Sequence, residues 1–249
     1  MGKNNEIRQQ NEDSILETEL AVELKALINQ IEGLDEYRLP QRAYHIIRIA
    51  IRDLILPPGK TILEREMAEI LDMSRTPVRE ALVRLETEGV VRLIPRRGFI
   101  VKPIEKEDLQ SVFEIVETLE GLGAELATKQ IGAKEIAQLD ELLAEQEKAL
   151  AHGDLKKWSV LDNEFHHLII KFANNRHLSG IIDSFTDQTH RARLYTIKHR
   201  PIPHHSVIEH RAVVKCMEAN DPNAARVVME SHRRRSRQEI LEALEKIKE

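Results

Sequence analysis

Three histidines and an aspartate in the second half of the chain occupy positions that suit metal ligands. Asp162 and His166 are four residues apart, so on a helix they share a face, together with Phe165 and Ile169. His210 falls in step with Val207, Val213, Val214 and Met217, and His232 follows Ala225, Val228 and Met229. All four polar groups therefore project from apolar stripes. Burying a polar group without a partner costs roughly 1–3 kcal/mol. If the four converge, one divalent ion satisfies them together: imidazole and carboxylate ligation suits Zn, Ni, Mn, Fe or Co and leaves positions open for water or a ligand. The ordinary alternative is a set of satisfied core polar groups, since Asp/His pairs at this spacing are common without a metal.

A second group of residues suits nucleic acid. Ser74 stands where a helix N-cap hydroxyl accepts from a backbone N–H, and Pro77 falls in the first turn, where its missing N–H costs nothing. Val78, Ala81, Leu82 and Leu85 then form one apolar stripe, leaving Arg75, Thr76, Arg79 and Arg84 off it. Arg75 and Arg79 share a face at the positive end of the helix dipole. The major groove admits such a helix, and arginine donates bidentately to guanine. Before it, residues 64–71 form a shorter helix with Met67, Ala68 and Leu71 inward, and Asp72-Met73 make the turn. After it, Gly89 ends the helix, and residues 90–94 and 99–101 flank Pro95-Arg96-Arg97-Gly98 as a basic hairpin, suited to a minor groove or its phosphates. Each piece alone reads as a solvated face or an ordinary turn. Their order within one short segment favours DNA.

These groups need elements to position them. With 249 residues, 41% hydrophobic and only 4% aromatic, the chain has room for a small and a larger domain. The expected fold is mainly α: an N-terminal winged helix-turn-helix with a small β-hairpin wing, then a C-terminal antiparallel all-helical bundle. Residues 1–37 read as an acidic extension, with a helix from Asp13 to about Glu32 that carries Leu16, Leu20, Leu24, Leu27, Ile28 and Ile31 on one side. That helix could pack on the C-terminal domain, on a second subunit, or hang as a loose arm. Residues 38–104 form the winged helix, whose first helix spans residues 40–56 with Ala43, Ile46, Ile47, Ala50, Ile51 and Leu54 inside. Residues 105–249 read as about six helices, near 109–131, 133–151, 155–173, 177–197, 205–219 and 223–246, separated by Gly, Asn and Pro breaks.

The net charge of −5 hides its distribution. Residues 38–104 hold 13 Lys and Arg against 8 Asp and Glu, a local excess of +5 where DNA binding needs it. The single Cys216 excludes an internal disulfide, the first residues have no apolar signal core, and no run of about 18 apolar residues occurs. A cytoplasmic protein with no membrane contact is expected.

Leu63-Glu64-Arg65-Glu66-Met67-Ala68, Ser74-Arg75-Thr76-Pro77-Val78-Arg79-Glu80-Ala81-Leu82, Leu85-Glu86-Thr87-Glu88-Gly89-Val90-Val91 and Pro95-Arg96-Arg97-Gly98 closely resemble the winged-helix domain of the GntR family of bacterial transcription regulators. The resemblance implies DNA contacts from Arg65, Arg75, Arg79, Arg97 and Gly98, with Ser74 and Thr76 on phosphates. Residues 105–249 resemble the FCD-type ligand-sensing domain of the FadR-like branch. Asp162-Asn163-Glu164-Phe165-His166, Glu209-His210-Arg211 and His232 match its metal-binding pattern, which implies Asp162, His166, His210 and His232 as ligands. One departure stands out: where many such domains read E-x-R-x-x-L-E, this chain has Val116 at the arginine position, which puts a standard small carboxylate effector in doubt. Arg191 and Arg193 remain candidates for reading an anionic effector. His167, His204 and His205 fall outside the pattern and are expected to be exposed. Arg233, Arg234, Arg235 and Arg237 are expected to be solvated or interface charge.

The expected function is a homodimeric regulator, a repressor rather than an activator, on palindromic operator DNA, controlled by a small-molecule effector, an organic acid being one class, that reaches the metal. A metallohydrolase is the competing class. It lacks an additional acid or base with an identifiable place beside the four ligands. A DNA-binding architectural protein with a purely structural metal is the third reading, and predicts operator binding indifferent to metabolites.

Overall fold

Apolar residues spaced three and four apart from Leu20 to Ile31 make a helix that is stable only against a partner surface. The computed structural model describes residues 19–248, and in it α1 (Glu19–Gln30) lays this stripe on the winged-helix core. Leu24 is fully buried and joins the same cluster as Ile46, Ile47 and Ile51. This packing, on the winged helix itself, replaces the three placements expected above. The expected stretch from Asp13 to Thr18 lies outside the described residues. A short turn of 3-10 helix, Leu34–Glu36, leads to α2 (Leu39–Arg52), whose Ala43, Ile46, Ile47, Ala50 and Ile51 point inward as the periodicity predicts. Leu54 does not continue that face. The helix ends at Arg52, Leu54 takes φ 60, and Leu56 is the residue that reaches the core.

The chain then runs through β1 (Thr61–Ile62), α3 (Glu64–Ile70), α4 (Arg75–Thr87), β2 (Val91–Ile94) and β3 (Gly98–Val101). The sheet order is β1-β3-β2, antiparallel throughout, with Thr61 opposite Ile100 and Val91 opposite Val101. The third strand, β1, was not expected; at two residues it is too short to show alternation. On α4, Val78, Ala81, Leu82 and Leu85 are buried. Ser74 occupies the N-cap position with extended backbone, but its hydroxyl makes no cap hydrogen bond, contrary to expectation.

The chain divides into two compact units, one ending at Ile104 and the other starting at Glu105. The second unit contains six α-helices among the described residues: α5 (Lys106–Thr128), α6 (Ala133–Ala151), α7 (Leu155–Phe172), α8 (Arg176–Thr196), α9 (His204–Glu218) and α10 (Pro222–Lys248). Their starts are fixed locally. Asp154 accepts from Lys157 N at 2.9 Å before α7, and Asn175 accepts from His177 N at 3.1 Å before α8. Asp221 accepts from Ala224 N at 3.0 Å before α10. The apolar core joins Ala124, Leu139, Leu143, Phe165, Ile169, Val213 and Met229 from five helices. Gly123 lets α5 approach α7: a Cβ there would lie 2.4 Å from Ile170 Cδ1.

If α1 belongs to the winged-helix core, Leu24→Ala should destabilise that unit by about 3 kcal/mol, in the range for a buried leucine. The only tryptophan, Trp158, is buried in the other unit, so circular dichroism should show the shift while Trp158 fluorescence does not. A circular dichroism transition identical to that of the unaltered protein would mean a loosely held arm.

Candidate metal centre and nucleic-acid interface

In the first unit, the positions expected to meet DNA lie on the outside of a well-packed body. Arg65 on α3, Ser74, Arg75, Thr76 and Arg79 at the start of α4, and Arg97 in the hairpin turn are all exposed. Contacts within the unit draw their supports together. Arg79 pairs with Glu64 at 3.3 Å, and Glu64 follows Leu63, the N-cap of α3. A Cβ at Gly98, whose φ is 90, would meet Ile62 O at 2.6 Å and Leu63 Cδ2 at 3.0 Å. Gly98 therefore has a packing reason to be glycine, because it lets the wing lie against the residues that open α3. The far end of α4 is held by a partner the sequence did not suggest. Tyr44 on α2 donates to Glu88 Oε2 at 2.8 Å, and the guanidinium of Arg84 lies 3.7 Å from the centre of the Tyr44 ring.

In the second unit, α7 brings Asp162 and His166 inward, α9 brings His210 and α10 brings His232; all four are buried. One nitrogen from each of the three histidines lies within 4.8 Å of the other two. His210 Nε2 and His232 Nε2 are 3.1 Å apart, and Asp162 Oδ1 is 3.7 Å from His210 Nε2. The three histidines thus converge, and Asp162 stands beside them, next to His210.

Behind each stands a second residue. His232 Nδ1 donates to Glu209 Oε2 at 2.7 Å, and Arg235 binds both oxygens of that carboxylate. His166 Nδ1 lies 2.7 Å from Glu120 Oε2, while Glu120 Oε1 pairs with Arg233 at 2.9 Å. Asp162 Oδ2 pairs with Arg193 at 2.8 Å. Gln146 Oε1 accepts from His210 Nδ1 at 3.2 Å. Backing of this kind is what orients and sharpens metal-binding imidazoles.

Electrostatics fixes the protonation. Burial opposes ionisation of Glu120, but Arg233 and His166 outweigh it and hold its pKa near about 2. Glu209 is likewise held at about 2, against burial, by hydrogen bonds from His232 and Arg235. Asp162 is kept below the usual carboxylate range by Arg193 and the imidazoles despite burial. Burial pushes His210 well below its ordinary value and His232 to about 4, the latter in spite of its bond to Glu209. At neutral pH both rings are uncharged; the Glu209 carboxylate, which can only accept, sets the proton of His232 on Nδ1, and a proton of His210 on Nδ1 would meet Gln146 Oε1. Their Nε2 lone pairs then face each other at 3.1 Å, and the buried Nε2 of His166 has no hydrogen-bond partner among the described residues. Converging lone pairs with a carboxylate oxygen beside them fit a divalent transition ion.

The surroundings correct several expectations. Arg233 is not solvated; it is buried and paired with Glu120, whereas Arg234 beside it is exposed. Glu120 and Glu209 are acidic groups next to the ligands, which the sequence did not place there. A small cleft of about 30 Å³ runs beside His166, with Val116, Glu120, Thr189, Arg193 and Arg233 on its walls. Arg193 lines it and Arg191 does not. Val116 is part of this wall, so the missing arginine of the resemblance falls at the cleft itself. His204 and His205 are exposed as expected, and His167, also exposed, touches the cleft rim.

Comparison with known proteins gives the same division. Residues 39–101 match the family described as bacterial regulatory proteins, gntR family, and residues 111–235 match the FCD domain. An HTH-type transcriptional regulator from the TAR-I ttuE-ttuC' intergenic region of Agrobacterium vitis is 37% identical over 134 residues, 53% of this chain and 78% of that protein. The HTH-type transcriptional repressor RspR of Escherichia coli is 26% identical over 209 residues, 84% of this chain and 90% of that protein. Among solved structures, E. coli McbR/YncC shares the fold with a TM-score of 0.70 at 23% identity, covering 80% of this chain and 95% of that one. These families and relatives are transcription regulators, not enzymes. The chain belongs to the GntR family of bacterial transcription regulators, with an FCD domain as its second unit.

Proposed function

We propose that this regulator represses transcription as a homodimer on a palindromic operator, and that an anionic small molecule meeting a divalent transition metal in the FCD unit changes its grip on DNA. The observation that carries the reading is the convergence of His166, His210 and His232, with Asp162 beside His210 and paired with Arg193. A bound ion there would act as a Lewis acid with open positions for a ligand. The protein's own charges already cancel around that point: Asp162 faces Arg193, Glu120 faces Arg233 and Glu209 faces Arg235. The two charges of the ion would therefore be neutralised from outside, which favours an anionic effector. Arg193 and Arg233 line the cleft already paired with Asp162 and Glu120, and Val116 adds no charge, so the attraction for an anion would come from the ion itself.

For DNA, Arg65, Ser74, Arg75, Thr76, Arg79, Arg97 and Gly98 form the reading set, and two copies related by a twofold axis would read two half-sites. The repressor sense is supported by RspR, which is named a repressor. Control follows from linkage: an effector that binds one arrangement of the dimer better shifts operator affinity, by about 5- to 150-fold for ordinary coupling energies.

On duplex DNA selected from a random pool by the unaltered protein, Arg79→Ala should weaken binding about tenfold or more at matched salt, as expected when a bidentate base contact is lost. Affinity unchanged from the parent would remove Arg79 from the reading set.

Elemental analysis of protein purified without tag or chelator should give about one transition-metal ion per chain, and His210→Ala should abolish it. If neither protein takes up metal even after reconstitution with Zn(II), Ni(II) or Mn(II), the four residues are core polar groups and the sensing mechanism fails, while the DNA-binding role stands.

A further inference from the structure

Two of the three histidines are backed by carboxylates, and the third is backed by an amide. Gln146, on α6, is fully buried, and its two ends meet different partners. Nε2 donates to the carbonyl of Leu161 at 3.1 Å, and Oε1 faces His210 Nδ1 at 3.2 Å. A backbone carbonyl can only accept, so the first bond fixes which end of the amide carries hydrogen. The oxygen must then point at His210, and an oxygen can only accept, so His210 must carry its proton on Nδ1. The plane of the ring is set separately: Phe165 stacks on it with centroids 4.2 Å apart. Stacking cannot choose between the two nitrogens, because a ring turned over in place stacks equally well.

We propose that Gln146 is a positioning residue of the metal centre: by its bond to Leu161 it locks His210 in the Nδ1–H tautomer and so aims the Nε2 lone pair at the point that His166, His232 and Asp162 share. This rests on the metal reading above. Without Gln146, the proton of His210 could move to Nε2 and close the site to a cation.

The test compares Gln146→Leu with Gln146→Glu in the full chain. Leu removes both the acceptor and the donor, whereas Glu, measured at a pH where it carries a proton towards Leu161 O, keeps both. Zn(II) affinity, measured by chelator competition, should fall about 10- to 100-fold in the Leu variant, the range for loss of a backing residue. In the Glu variant it should stay within about threefold of the parent. The Co(II)-loaded Leu variant should also show altered d–d absorption. Equal affinity in all three proteins, or equal loss in both variants with helix content unchanged, would overturn the assignment. Should the Leu variant not fold, ring ¹⁵N shifts of His210 in the unaltered protein still decide: Nδ1–H is required, and Nε2–H overturns the proposal. Failure of the unaltered protein to bind Zn(II), Ni(II) or Mn(II) would defeat the metal reading, yet the tautomer measurement would still test Gln146.

Discussion

The sensing unit depends on one constraint: it keeps ionised groups inside a helical core. Taking a charge out of water costs several kcal/mol even after relaxation, and only close opposite charge and hydrogen bonds offset it. The solution here is pairwise. Asp162, Glu120 and Glu209 each meet an arginine, from α8 or α10, within hydrogen-bonding distance. Glu120 must reach His166 on α7 and Arg233 on α10 at once, so the positions of α5, α7 and α10 along each other are not free. An apolar core of leucines tolerates sliding by a turn better than this network does. Such networks add little net stability over apolar packing; here the network fixes where the imidazoles of His166 and His232 stand.

The DNA-binding unit solves the opposite problem. The arginines proposed to meet DNA stay in water, and the core behind them is apolar. Apolar contacts hold them from behind: α2 and α1 under α3 and α4, and the Tyr44, Arg84 and Glu88 cluster at the far end of α4. Among the residues proposed to meet DNA, Arg79 pairs with Glu64 in an exposed contact that is weak, as surface pairs are. Contact with a phosphate or guanine would replace it at small cost.

What the sequence revealed follows from range. The Asp162 and His166 pair, the apolar stripe of α4 and the ends of the bundle helices after the first depend on neighbours within a turn or two, and the text of the chain carries them; the first was expected three residues too late at both ends. Gln146, Glu120 and Glu209 were invisible as site residues, because their partners lie 64, 46 and 23 positions away and only the packing of helices joins them. Arg233 was misread for a related reason. It belongs to a run of arginines, which usually marks a solvated face, but α10 is covered on more than one side and buries the arginine next to its histidine. The amphipathic pattern of α1 was plain, whereas its destination was not, since a stripe of leucines does not name its partner. Leu54 failed because backbone conformation ended α2 before the apolar period did.

Helix α5 is where the two problems meet along the chain. It is the first element after Glu105, and 14 residues beyond its start it carries Glu120, which backs His166 and holds Arg233. Its first residue, Lys106, pairs with Glu245 near the end of α10, while Gly121 brings the middle of α5 close against Glu230 on the same helix. The pair α5 and α10 is thus joined at two places, about 22 Å apart along α5, by charge and close approach. A rigid pair of that length cannot absorb a shift at Glu120 and Arg233 by bending a side chain; the packed interior moves as a body or stays. On the proposed function, a ligand that prefers one position of this carboxylate and guanidinium would act on α5, the first helix of the second unit.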